Sequence, residues 1–242
     1  MGVNIVQSRS SFDLRLCDYR PEIEYQVASS PEFRNEIFKF RYNAYRREGV
    51  IRENPTGIFT DYYDTLENCW IFGILSNGEL VSSIRVHVIS PEFRRGPALD
   101  VFPDIVTPML DAGDVLVDPT RFVTSHNAIL RIPELVYVTL RVPSMASLAF
   151  NARYCLVTVR EEHIRFYKRV LNATQLCEPR PYPELMYHIC AMRVDIAQMR
   201  DELAKRHSAF QTPLSDWRHM FERPGPVVPP NLEAPPLAPL IN

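Results

Sequence analysis

The stretch LVDPTRFV, Leu116 to Val123, has the apolar residues of a buried strand, yet it carries a carboxylate at Asp118, a guanidinium at Arg121 and a proline between them. A carboxylate can accept a proton from an attacking nucleophile, and a guanidinium can grip an anionic substrate group through its planar fork. Three residues apart on a regular strand, the two side chains point to opposite faces. A bulge would bring them to one face, and Pro119, which cannot donate a ladder hydrogen bond, is where the break is expected. The same residues also fit a structural ion pair at a strand end, because ion-pair networks gather the same groups. His87 and His163 could each act as a base, but a lone histidine beside a strand or at a helix start is more often only hydrogen-bonded. Neither is assigned to the site. The five cysteines (Cys17, Cys69, Cys155, Cys177 and Cys190) are odd in number and contain no C-x-x-C pair, so they read as reduced thiols with no metal centre.

Elements must hold these groups in place. After an extended stretch from Glu22 to Ala28, Ser30, Pro31 and Glu32 form a helix start: a capping hydroxyl, a proline suited to the first position, and an acid at the positive end of the dipole. Phe33, Ile37, Phe40, Ala44 and Tyr45 recur at helical spacing until Gly49. Trp70 to Leu75 and Leu80 to Ser90 flank Asn77-Gly78 as a hairpin. On its second strand Ile84, Val86 and Val88 share a core face, while Arg85 and His87 share a face that is wet or functional. A proline-rich connection, Pro91 to Pro108, leads to the LVDPTRFV strand. A helical pattern then runs from Pro133 to Arg153, interrupted at Pro143. Tyr154 to Arg160 is a strand, EEHIRFYKRVL a short helix, and ELMYHICAMRV a last strand before an amphipathic helix with Ile196, Met199 and Leu203. This alternation predicts an α/β or α+β fold.

A chain of 242 residues with 46% apolar and 23% charged residues is long enough for one substantial core, and a net charge of −2 argues against nucleic acid as the main partner. No apolar run is long enough for a signal peptide or a membrane span, so a soluble cytoplasmic protein is expected. Residues 1–207 are expected to form the main domain with an N-terminal extension. Residues 208–242 are expected to hold a helix remnant and a proline-rich tail.

FRYNAYRREGVI, DYYD, LVSSIRVHVISP, VDPTRF and EEHIRFYKRVLNATQLCEPRPYP occur in an order that resembles the GNAT-fold N-acyl amino acid synthases of the FeeM type, relatives of the acyl-homoserine-lactone synthases. The resemblance spans Glu22 to Asp195. It implies a central mixed, splayed sheet flanked by helices. In the lactone synthases the corresponding places carry Arg and Tyr on a helix, two spaced acids, an arginine strand and an E-x-S-R-F strand. Here they are Arg41 and Tyr42, Asp61 and Asp64, Arg85, and Asp118 to Phe122. Asp118 stands where that family has glutamate, which shortens its reach by a methylene and leaves a role as direct base open. Acetyltransferases of this fold hold the coenzyme pyrophosphate on a glycine-rich turn entering a helix. This chain has TSHNAILRIPEL there, with no glycine.

The implied reaction is aminolysis of a thioester, with acyl carrier protein as donor, an amino acid as acceptor, and no cofactor or metal. The fourth strand splays from the fifth to admit the donor's pantetheine. Candidate bases are Asp118 through a water, or Asp61 and Asp64, whose alternative is turn and capping chemistry. Tyr167 could protonate the leaving thiolate or simply pack beside Ile164 and Leu171. Arg85, Arg121 and Arg41 are the candidates for the amino acid's carboxylate, with Phe122 beside them. Arginines at 46, 47, 52, 94 and 95, with Arg165, Lys168 and Arg169, could form a basic rim for an acidic carrier protein, or be ordinary solvated charges. Two alternatives stay open. One is another amine acceptor, of the ornithine-lipid or homoserine-lactone type; the other is a catalytically silent module that binds acyl chains or carrier protein.

Overall fold

The computed structural model describes residues 23–182, 185–199 and 220–222. Strand β1 (Ile23–Val27) leads into helix α1 (Pro31–Arg47). The Ser30 hydroxyl accepts the Phe33 N–H at 3.2 Å, Pro31 occupies the first turn, and Gly49 takes the left-handed position past the end at φ +70°. A 3₁₀ turn (Tyr62–Thr65) follows. Strands β2 (Cys69–Ser76) and β3 (Glu79–Ile89) then form the expected hairpin, with Asn77 and Gly78 both at positive φ as a type I′ turn requires.

The proline-rich connection has regular structure that the sequence reading did not assign. It holds two helices, α2 (Pro97–Val101) and α3 (Pro103–Asp111), each with a proline in its first turn, where the missing N–H is one the helix leaves unbonded anyway. Next come β4 (Leu116–Thr124), α4 (His126–Arg131) and α5 (Leu135–Ala149). The expected interruption at Pro143 does not occur. Val138, Val142 and Met145 are buried against the sheet, and this packing offsets the lost backbone hydrogen bond. Strand β5 (Tyr154–Val159), helix α6 (Ile164–Leu171), the two-residue strands β6 (Thr174–Gln175) and β7 (Arg180–Pro181), and β8 (His188–Asp195) complete the described core.

The sheet runs β1-β2-β3-β4-β5-β8-β6, with β7 also on β8. Every pairing is antiparallel except β4–β5, which is parallel and paired only at Leu116–Tyr154 and Val117–Cys155. Beyond Val117 the two strands splay. On one face of the sheet, Trp70, Phe72, Ile84, Val86 and Val117 pack on α5. On the other, α1 covers Ile71, while Ala98, Phe102, Val106 and Leu110 of α2 and α3 cover Leu116, Leu156 and Ile189. Arg85 and His87 lie on this second face and are fully buried, so the face is not wet.

Ile196 and Met199 are helical; Leu203, the boundary at 207, the N-terminal extension and the proline-rich tail lie outside the described residues. Phe221, past that expected boundary, is buried with Trp70, Phe72 and Phe150, its ring centroid 6.1, 5.5 and 5.7 Å from theirs. The four described cysteines are free thiols. No described helix is long and apolar enough to cross a membrane.

Candidate active site

The β3–β4 register shifts between Ser83 and Arg85. Arg85 pairs with Thr120 and Ser83 with Val123, so Ile84 faces two residues, Arg121 and Phe122. The bulge therefore falls at Arg121, which has φ +54°, and not at Pro119, which pairs in register with Val86. A left-handed non-glycine residue costs about 1–3 kcal/mol unless its surroundings hold it. Here they do. Arg121 Nε and Nη2 donate to Asp61 Oδ2 at 3.1 and 2.6 Å, and its guanidinium lies 4.4 Å from the Phe59 ring centroid. Phe122 turns the other way, toward the α5 side of the sheet.

Arg121 is one member of a buried network. Asp61 also receives Arg85 Nη1, which lies 3.1 Å from Asp64 Oδ1 as well. Arg85 Nε donates to Thr120 Oγ1 at 2.9 Å, and Arg41 Nη1 to Asp64 Oδ1 at 2.8 Å. Asp64 Oδ2 accepts the Thr60 hydroxyl and the Asp61 N–H, which makes the 3₁₀ turn a capping box. Thus Arg41, Asp61, Asp64, Arg85 and Arg121, scattered over eighty positions, meet beneath α1. Burial alone would raise both carboxyls. Arg41 and Arg85 outweigh it at Asp64, and Arg85 and Arg121 outweigh it at Asp61, so both stay below the usual carboxylate range. A carboxylate held this firmly in its ionised form is a poor proton acceptor. The geometry makes this pair an anchor for three guanidiniums.

Asp118 stands apart. It does not pair with Arg121. Its Oδ2 accepts the Ala98 N–H of α2 at 2.9 Å, and its fully buried carboxyl is pushed up to about 6, chiefly by burial. His87, directly opposite on β3, is held neutral: burial and then Arg85 lower it to about 3.

Where β4 and β5 separate, a cavity of about 460 Å³ opens. Pro119 to Thr124 form one wall, and Cys155 with Val157 to Arg160 the other. Val136, Leu140, Pro143 and Ser144 of α5, with Phe166, Tyr167 and Leu171 of α6, close one end; Tyr45, Glu48, Tyr182, Leu185 and Tyr187 lie at the other. Of the site residues assigned from sequence, Arg121, Phe122 and Tyr167 line this space, and so does His163, which was weighed as a base and not assigned. Arg41, Arg85, Asp61, Asp64 and Asp118 do not. Burial, with the neighbouring Cys155 thiol, raises the Tyr167 phenol, so it keeps its proton at neutral pH. Sequence reasoning missed Phe59, Tyr182 and Tyr187, which come from loops and carry no periodic signal, and it read Tyr45 only as part of a helix's apolar spacing. It also missed the Arg160–Glu48 pair, 3.4 Å apart, with Arg160 5.0 Å from the Tyr187 ring centroid.

A family model described as N-acyl amino acid synthase FeeM matches residues 36–195, which includes the anchored arginines and both walls of the cavity. The chain belongs to the FeeM family of N-acyl amino acid synthases. It is accordingly an N-acyltransferase. The solved structure of FeeM, an N-acyl amino acid synthase from uncultured soil microbes, aligns with a TM-score of 0.63 at 14% identity, covering 78% of this chain and 97% of that one. The CoA-dependent acyl-homoserine lactone synthase BjaI, solved with MTA, gives 0.57 at 17% identity over 76% and 88% of the two chains. The acyl-homoserine lactone synthase LasI gives 0.56 at 12% over 72% and 90%. At these identities the structural likeness establishes the GNAT-like acyltransferase fold, and the family match carries the reaction class. No curated protein matches the chain in sequence.

Proposed function

We propose that this member of the FeeM family moves a long fatty acyl group from acyl carrier protein to the amino group of an amino acid. The observation that carries this reading is the cavity between the splayed strands. One end is walled by Val136, Leu140, Val157 and Leu171 and suits a hydrocarbon chain, while Arg121 supplies a guanidinium along the same space. In this reading Arg121, set by Asp61 and Phe59, positions the amino acid's carboxylate; Arg85 and Arg41 act behind it by fixing Asp61 and Asp64.

The amine gives up a proton toward Asp118, which stands behind the cavity wall at Pro119 and is reached by relay through water rather than by contact, and its nitrogen attacks the thioester carbonyl. The edge of β4 past Val117 carries no ladder pairing with β5, so its backbone N–H groups are available to the oxyanion. As the C–N bond forms the C–S bond breaks, and Tyr167 protonates the departing sulfur. The proton taken up by Asp118 returns to the Tyr167 phenolate through solvent, so that both groups are restored and the net proton passes from amine to thiol.

The donor assignment rests on the strand-to-helix turn Ser125–His126–Asn127, which lacks glycines. It enters α4, a helix of only six residues, and is a poor pyrophosphate cradle. Turnover of matched donors of C12 or longer tests it: the carrier-protein thioester should be the more efficient substrate. Equal or better efficiency with the coenzyme A thioester would overturn the donor assignment and leave the acyl transfer itself standing.

A further inference from the structure

Three buried polar atoms on the α2 side of the sheet identify a residue that the chemistry above does not use. His87 and Asp118 are direct cross-strand partners on β3 and β4, both fully buried and on the same face. Such partners carry their Cβ atoms about 4.5–5.5 Å apart. His87 Nε2 lies 3.0 Å from the Tyr63 carbonyl oxygen, so Nε2 carries the proton and Nδ1 is left as a bare acceptor. Among the described residues neither His87 Nδ1 nor Asp118 Oδ1 has a hydrogen-bond partner, although both are sealed from solvent. Two buried acceptors on adjacent strands, with no hydrogen bond to each other, are the setting in which one enclosed water donates to both.

We infer that His87 is a positioning residue for Asp118, holding a buried water between its Nδ1 and Asp118 Oδ1 so that the carboxylate keeps a fixed orientation and a hydrogen-bond donor. His87 is itself fixed from behind. Its Nε2–H bonds the main chain of the 3₁₀ turn, its ring stands edge-on to Tyr63 at 6.2 Å, and the Tyr63 hydroxyl bonds Asp100 of α2 at 2.7 Å. The ordinary alternative, a histidine that only fills space under α2, leaves both orphaned acceptors unexplained, and a polar atom buried without a partner is costly. The other charged or titratable groups bearing on this pair are Arg85 of β3, Asp100 of α2, Asp61 and Asp64 of the turn, Cys155 of β5, and Tyr63 and Tyr182. Arg85 favours the ionised carboxylate and Asp100 opposes it. Neither is altered by changing His87.

This inference rests on Asp118 acting as the base, so two sets of variants are compared. His87→Phe removes the acceptor. The water's donation to the carboxylate is then lost, ionisation becomes harder, and the acid limb of kcat/KM should move up by about one pH unit, the scale of one charge-assisted hydrogen bond. Efficiency falls at pH 6.5 and recovers by pH 8.5. His87→Asn places an amide oxygen where Nδ1 stood and should return the limb to within about 0.3 of a unit of wild type, even if the melting temperature drops. A limb unmoved in His87→Phe, or moved equally in both variants, overturns the positioning role. Asp118→Asn, assayed alongside, should be nearly inactive at every pH. If it is active, the assignment of Asp118 as base fails, and the two failures are thereby told apart.

Discussion

Arg121 Nη2 lies 2.6 Å from Asp61 Oδ2, and this bond ties the bulge of β4 to the turn sixty residues earlier in the chain. The left-handed backbone at Arg121, the stacking on Phe59 and the splaying of β4 from β5 all meet at that contact. The bulge lets one strand serve two surfaces. Arg121 turns to the polar network, and the next residue, Phe122, turns to the apolar end of the cavity.

Arg121→Lys keeps the charge but loses the planar fork that reaches Asp61 through both Nε and Nη2. Efficiency toward the amino acid should fall about ten- to a hundred-fold, the scale of one charge-assisted hydrogen bond of ~1.5–3 kcal/mol. Steady-state kinetics and thermal melting on one preparation separate the readings. Near-normal efficiency with a depressed melting temperature would make Arg121 purely structural.

Asp64→Asn removes the partner of two buried guanidiniums, Arg41 and Arg85. Breaking a buried pair on one side costs about 3–5 kcal/mol. The variant should unfold several degrees earlier, and the loss should persist at high salt, because the network is sealed from solvent. A change confined to kinetics, with stability intact, would instead make Asp64 a base.

Asp118 points the opposite way. Its folded pKa of about 6 lies above the ordinary 3.8, so ionised Asp118 opposes folding above pH 6, and that cost vanishes as the pH falls below 3.8. Asp118→Asn should therefore raise the melting temperature at pH 8, by up to about 3 kcal/mol in stability, and give no gain at pH 3.5. Acyl transfer should be lost in the same variant. In the wild type, kcat/KM should fall with acid along a limb centred near pH 6. Asp61 and Asp64, held low, add stability above 3.8 that disappears only as the pH falls through their depressed values. A destabilised Asp118→Asn at pH 8 would show that Asp118 is a partner the fold requires in its ionised form.

How much of this was legible depended on how local the cause was. The cap at Ser30, the stop at Gly49 and the Asn77-Gly78 turn are set by residues next to one another, and each stands where the sequence places it. The bulge was foreseen but assigned to Pro119, because proline is the visible anomaly. The deciding contact, Asp61 on Arg121, is distant in sequence. Alternation on β3 revealed a polar face at Arg85 and His87, but not that α1 and the 3₁₀ turn cover it. The prolines of residues 91–108 read only as a connection, and the two helices there went unseen because the same residue that breaks a helix also starts one. The tyrosines at positions 45, 182 and 187 meet only in three dimensions.

Ser144 faces the cavity from α5 and is buried there beside Leu140 and Pro143. Ser144→Phe should fill that end and move the preferred acyl chain to shorter lengths by two carbons or more, with the amino acid preference unchanged. Competition among donors of mixed length, with products resolved by mass, reads this directly. An unchanged chain-length profile in a folded variant would place the acyl chain elsewhere.

Phe221 should matter to the core although it lies past residue 207. Phe221→Ala empties a site bounded by Trp70, Phe72 and Phe150 and should cost about 3–5 kcal/mol, visible as a large drop in denaturant midpoint. A midpoint within error of wild type would mean that those three rings pack as well without it.

The central claim is tested most directly by mass spectrometry of lipids extracted from cells that overproduce the chain, beside cells that overproduce Asp118→Asn. A new N-acyl amino acid of long chain length, present with the wild type and absent with the variant, is the expected result and names acyl chain and amine together. Wild-type extracts with no new N-acyl species, or with only acyl-homoserine lactone, would contradict the assignment of an amino acid as the acceptor.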